Sequence, residues 1–228
     1  MAAPIKKTVE LFYDVVSPYS WFAFEVLCRY ENIWNLDLKM KPFFLGGIMK
    51  AADNTPPAMV PNRGQYMRKD LQRLAKYFNV PLNEPKDPAE MMFVKGSLKT
   101  QRFITAVDMK LPSKTRDVTR EMWHRNWSRD EDITEPNSLK EAGLKAGLTE
   151  EQIATFLQDM SDSRVKDRLK QYTEEALGYK AFGSPTIMAH VDGNGKPELV
   201  FGSDRFPVLA QLLGKEWLGP TPPGESKL

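Results

Sequence analysis

Strand-forming patterns occupy only the two ends of this 228-residue chain, with a long helical stretch between them. TVELFYDVV at 8–16 and LDLKMKPFF at 36–44 both alternate and are rich in β-branched or aromatic residues. Between them PYSWFAFEVLCRYENIW carries helical spacing, with Trp21, Phe24, Leu27 and Cys28 placed to face a core. Strand signals return at SPTIMAHV (184–191) and PELVF (197–201), joined by the hairpin turn DGNG, before a last helix at about 205–213. A chain built this way must assemble one sheet from strands far apart in sequence. About 115 residues of helical pattern separate its two halves.

The middle begins with 46–64, GGIMKAADNTPPAMVPNRG, which reads as a long irregular loop of functional or mobile kind. Helical patterns follow in QYMRKDLQRLAKYF, SLKTQRFITAVDM, 114–128, LTEEQIATFLQDM and RVKDRLKQYTEEALGY. Thr149 and Gln152 stand in a capping-box arrangement. Trp123 and Trp127, four apart, form a packed face.

Composition excludes several classes. Thirty-two basic and 30 acidic residues, well mixed, leave a net charge of +2 and no footprint for nucleic acid or an anionic membrane. One cysteine, Cys28, and two histidines, His124 and His190, rule out a disulfide framework and disfavour a zinc site. They point to a reducing intracellular compartment. No apolar run is long enough to span a bilayer, and the start lacks the apolar region of a secretory signal. Ser226, Lys227 and Leu228 match the peroxisomal address read by an import receptor.

Strand–helix–strand at the start and strand–strand–helix at the end give the plan of a thioredoxin-like fold of the disulfide-oxidoreductase type, an α/β fold with a large helical domain inserted between its βαβ and ββα halves. The division is 1–64 for the first part of the thioredoxin-like domain and 65–180 for the helical insertion. Residues 181–228 make the second part and the C-terminal tail. In this fold the first helix N-terminus carries the reactive group, because unpaired N–H donors and the helix dipole favour an anion there. The turn here reads DVVSPYSW, with Ser17 at the N-cap, Pro18 at the first helical position and serines, Ser17 and Ser20, where the two cysteines would stand. A disulfide cycle is impossible with those residues, so the sulfur arrives on the substrate. Ser17 also reads as an ordinary helix cap. Ser184-Pro185 opens the returning strand where such folds place a proline beside the reactive position, freeing the Ser184 main chain to pair with a peptide; a routine strand-edge proline is the alternative. Ser203 and Asp204, ahead of the last helix, could hold the charged ends of an amino-acid-like group, or simply start that helix.

Taken together, DVVSPYSWFAFEVLCRY, GIMK-AADNTPPAMVP, WSRDEDITEP, Phe182-Gly183-Ser184-Pro185 and FGSDR resemble the kappa-class glutathione transferases over essentially the whole chain. The resemblance implies a homodimeric enzyme of peroxisomes and mitochondria that joins the glutathione sulfur to small electrophiles and reduces organic hydroperoxides. Glutathione is the co-substrate, with no permanently bound cofactor and no metal. By position, Ser17 is the catalytic serine, with Pro18 and Tyr19 lining its turn. Asn54 contacts the tripeptide and Arg63, where the family usually has lysine, holds the glycine carboxylate. Ser184, beside Pro185, pairs with the cysteinyl main chain where leucine is expected, and Ser203 and Asp204 hold the γ-glutamyl end. The loop 46–64 becomes a lid. Two other readings stay open: the related glutathione-dependent 2-hydroxychromene-2-carboxylate isomerase, and a redox-inactive thioredoxin-like binding module. Cys28, eleven positions past Ser17, reads as a small core residue rather than a resolving thiol.

Overall fold

A computed structural model describes residues 6–191 and 195–223. Four strands, β1 (Lys7–Tyr13), β2 (Leu36–Pro42), β3 (Thr186–Ala189) and β4 (Glu198–Phe201), form one sheet in the order β2-β1-β3-β4. β1 runs parallel to β2, with Val9 opposite Leu38, and antiparallel to β3, with Leu11 opposite Ile187. β3 and β4 form the antiparallel hairpin, whose turn falls at 192–194, outside the described residues. The helices are α1 (Pro18–Ile33), α2 (Leu45–Ala51), α3 (Pro61–Phe78), α4 (Leu98–Lys110), α5 (Thr115–Trp123), α6 (Pro136–Lys145), α7 (Glu150–Asp159), α8 (Ser163–Gly178) and α9 (Phe206–Leu212).

Alternation along β1 sets the layers. Val9, Leu11 and Tyr13 join the larger core with α1, whereas Phe12 turns to the other face and packs with Phe43, Ile48, Ala176 and Met188 beneath α2 and α8. The larger core runs without a break from the sheet through Trp21 and Phe24 into Phe103, Trp123 and Phe156 of the helical block. α1 is therefore buried on more than its sheet-facing side: Phe22, Ala23 and Val26 are enclosed as fully as Trp21 and Leu27. The capping box at Thr149 and Gln152 is present, with both reciprocal bonds made. Both Trp123 and Trp127 are buried.

The stretch 46–64 departs from expectation. It is not one irregular loop: α2 occupies Leu45–Ala51, Pro57–Met59 makes a single 3-10 turn, and α3 begins at Pro61. Two glycines in a seven-residue helix hide its propensity, and Pro61 is the first residue of α3 rather than a breaker. Between α2 and the 3-10 turn only the short piece 52–56 is left without helical structure. The helical run also holds two π-helical segments, Glu90–Lys95 and His124–Ser128, the second carrying Trp127.

Candidate functional site

α1 starts as its sequence requires. Ser17 is extended at the N-cap (φ −86°, ψ 116°), and its hydroxyl accepts the Ser20 N–H at 3.2 Å. Pro18 has no N–H, and no hydrogen bond of the Tyr19 N–H is found among the described residues, which makes it the open donor of the first turn. The Ser17 hydroxyl proton points to the Ser184 carbonyl at 3.2 Å, although 167 positions separate the two residues. Ser184 is joined to α1 a second time, its hydroxyl lying 2.6 Å from that of Ser20. This pair gives the unexpected serine at 184 a structural partner that leucine could not offer. The Ser184–Pro185 bond is cis. No hydrogen bond of the Ser184 N–H is found among the described residues.

Around this centre three further segments close in. Gly202, at φ +88°, donates its N–H to the Pro185 carbonyl at 3.1 Å, which sets buried Ser203 beside the turn. The left-handed backbone and the Asp204 carboxylate, 2.9 Å from where a Cβ would stand, leave glycine as the fitting residue there. Asn54 donates its side-chain amide to the Phe182 carbonyl at 2.7 Å, buckling the end of α2 to the 182–185 turn. Tyr19 donates its phenol to Asp70 of α3 at 3.1 Å, and burial followed by the Asp70 charge raises its proton affinity well above the phenol range. Asp204 is near enough to contribute to that rise, which puts it on the Tyr19 side of the site.

Two further candidate segments lie farther from the serine turn's own hydrogen bonds. Ser203 and Asp204 stand just ahead of the last helix, as expected from the sequence. α9 begins at Phe206 with Arg205 as its cap, and the Asp204 carboxylate is paired to the Arg205 guanidinium. Arg63 lies in the first turn of α3, about 10 Å along the helix from Asp70, exposed and with no ion pair among the described residues. It is the least anchored of the candidate residues. Ser226, Lys227 and Leu228 lie outside the described residues.

Several contacts here had no local signal in the chain. The Trp123 indole donates to the Ser17 carbonyl at 3.2 Å, so a residue of the helical block touches the backbone of the serine turn. The Ser20–Ser184 pair and the Tyr19–Asp70 bond likewise join residues more than 50 positions apart. Cys28 takes no part. It is packed against the core, and burial pushes its thiol up to about 12. A cavity of about 540 Å³ between α3 and the 84–93 segment is floored by Met67, Leu71, Met92 and Trp127, but none of the candidate residues lines it. Among the described residues there is no metal-binding group of acidic, histidine or cysteine side chains, and no helix is long and apolar enough to cross a membrane.

Residues 8–214 match the DSBA-like thioredoxin domain. The chain is 49% identical over 220 residues to the Homo sapiens glutathione S-transferase kappa 1, covering 96% of each chain. Its identity to the Rattus norvegicus glutathione S-transferase kappa 1 is 50%, with the same coverage. The chain belongs to the kappa-class glutathione S-transferases. Among solved structures, 2-hydroxychromene-2-carboxylate isomerase superposes on this kappa-class chain with a TM-score of 0.73, over 91% of this chain and 94% of that one. At 20% identity that likeness concerns the fold. The isomerase reading accordingly has only distant support beside two kappa-class relatives near half identity.

Proposed function

We propose that this kappa-class chain is a glutathione transferase that conjugates the glutathione thiolate to small electrophiles, with the sulfur held at the α1 N-terminus by the Ser17 hydroxyl. The observation that carries the reading is the placement of that hydroxyl. It stands at a helix start beside the free Tyr19 N–H, with its proton directed at a main-chain carbonyl that a peptide can take over. In the proposed exchange the cysteinyl N–H of glutathione bonds the Ser184 carbonyl, and the Ser184 N–H bonds the cysteinyl carbonyl. The Ser17 hydroxyl, released, turns to the sulfur. Ser203 and Asp204 receive the γ-glutamyl group, Asn54 the tripeptide backbone and Arg63 the glycine carboxylate.

A free thiol with a pKa near 8.5 is about 3% ionised at pH 7, and lowering it by about two units raises the thiolate to about 75%. Nucleophilicity falls with basicity, so ionisation alone yields a gain of only several-fold. The larger share of the acceleration comes from holding sulfur and electrophile together. Reduction of an organic hydroperoxide at the same sulfur consumes two glutathiones and yields the alcohol, water and glutathione disulfide.

The test is a spectrophotometric titration of enzyme-bound glutathione, run beside conjugation to a chlorinated nitrobenzene. A thiolate band appearing about two pH units below that of free glutathione, together with conjugate formation, supports the reading. A bound thiol that titrates like the free one sinks the role given to Ser17. Asp204→Asn separates binding from chemistry: KM for glutathione rises about tenfold while kcat stays within about twofold, because a remote charge contributes equally in ground and transition states. A kcat loss matching the KM change would place Asp204 in the chemistry instead.

The tail Ser226-Lys227-Leu228 supports a peroxisomal location, and family resemblance supports a mitochondrial share and a homodimer. A fluorescent fusion at the N-terminus, with and without Leu228, tests the first. Light scattering of the purified chain tests the last.

A further inference from the structure

Asp14 is a buried ionisable residue that the proposed chemistry leaves without a task. It is fully enclosed, three residues ahead of Ser17, and its carboxylate accepts hydrogen bonds from three separate parts of the chain. These are the Val16 N–H at 3.0 Å in its own turn, the Leu45 N–H at 2.9 Å at the start of α2, and the Ser97 hydroxyl at 2.8 Å just ahead of α4. Its main-chain carbonyl takes the Ser17 N–H at 3.0 Å. Gln101, one turn into α4, adds a second hold. Its side-chain oxygen receives the Val15 N–H at 3.4 Å, and its amide donates to the Tyr13 and Phe43 carbonyls at 2.9 and 2.7 Å. The N–H groups of Val15, Val16 and Ser17 are thus all bound, each by Asp14 or Gln101. Ser17 owes its position to a buried carboxylate and to the helical block behind it.

We propose that ionised Asp14 is a positioning residue for Ser17, fastening the 14–17 turn to α2 and α4, and that its protonation releases the turn and removes the hydroxyl from the sulfur. The proposal rests on the role given to Ser17 above. The charged form is the one the surroundings ask for, because two of the three partners are backbone N–H groups that can only donate. A neutral carboxyl would turn an O–H toward groups already offering hydrogens. Burial pushes Asp14 up to about 6, against the three hydrogen bonds that favour its charge.

No charged side chain helps to set that balance. The groups bonded to the Asp14 carboxylate are the Leu45 backbone of α2, the Ser97 hydroxyl just ahead of α4 and the Val16 backbone, and Gln101 of α4 holds the adjoining Val15 N–H. The adjoining phenol of Tyr13 is turned to Thr119 of α5, and Thr173 of α8 receives the Phe44 N–H beside Leu45. Above about pH 6 the turn is fastened, and below it the fastening is lost.

The test uses the full chain, ¹⁵N-labelled and free of glutathione, titrated from about pH 8 to about pH 5. It follows the amide signals of Val16 and Ser17 and the indole N–H of Trp123, which reports on the Ser17 carbonyl. All three are expected to move with one midpoint near 6. Ser97→Ala, which deletes a hydrogen bond to the charged form, raises that midpoint by about half to one unit. Asp14→Asn flattens the titration. In the conjugation assay at neutral pH, Asp14→Asn lowers kcat about 10- to 100-fold, while KM for glutathione changes by less than about threefold.

Signals that stay still across the range, or that titrate unchanged in Asp14→Asn, overturn the proposal. So does full kcat in a folded Asp14→Asn protein. Should that variant not fold, the shift in Ser97→Ala decides, since a midpoint that does not rise is equally fatal. The glutathione-free titration stands or falls whether or not the sulfur assignment holds, so the two failures are distinguishable.

Discussion

Ser17→Ala lowers turnover by about 10- to 100-fold and abolishes the low-pH thiolate band, while glutathione binding weakens by only a few-fold. The asymmetry follows from what each contact touches. In the proposed complex the tripeptide is gripped at its ends and along its backbone by residues other than Ser17, so most binding is expected to survive the change. The sulfur loses its one hydroxyl donor and keeps only the helix start and the Tyr19 N–H. Several-fold of the loss is ionisation, and the remainder is the freedom that an unheld sulfur regains. The alanine also removes a helix cap, which costs about 1 kcal/mol, so the variant stays folded and its kinetics can be interpreted. Ultraviolet difference spectra and steady-state rates on the same preparation check it. Unchanged absorbance together with unchanged turnover would return Ser17 to an ordinary cap.

Arg120→Ala destabilises the fold by about 3–5 kcal/mol. Glu25 of α1 is buried, and its carboxylate receives Arg120 of α5 in a two-point contact at 2.8 and 3.1 Å, with the Trp21 indole as a further donor at 3.0 Å. The guanidinium lies over the Phe24 ring at 5.0 Å, so its removal also takes away packing. What makes the loss large is the charge left behind in a place water does not reach. Removing both partners, as Glu25→Met with Arg120→Met, recovers most of the stability, because no unpaired charge remains. Urea unfolding of the single and double variants checks this. A single variant within about 1 kcal/mol of the parent would mean that water reaches Glu25 after all.

The framework was legible in the chain because its signals are local. β1, β2 and the β3–β4 hairpin announce themselves by alternation, and the α1 start by Ser17 followed by Pro18, patterns that need no distant partner to read. α2 was not legible, since Gly46 and Gly47 depress helix propensity and the helix exists by lying on α8 and Ile48's cluster. The start of α3 was missed because a proline at a first helical position looks the same as a proline in a loop. In the site, Ser17, Ser184 and Ser203 could be singled out by their places at turns. Asp14 could not, because an acidic residue at a strand end is unremarkable until Leu45 and Ser97, 31 and 83 positions away, are brought to it. Serine at 184 looked like a departure from the family and proved to have Ser20 as its partner.

The sheet order has a consequence for how the molecule is made. β1 emerges from the ribosome well before its β3 neighbour, which follows more than 170 residues later. Until then one flank of an apolar strand has only β2 beside it, on the other side, and its remaining N–H and C=O groups face whatever is near. A growing chain in that condition is open to pairing with its neighbours on the same message, which makes nascent-chain chaperones and slow dilution the conditions under which this fold is best recovered.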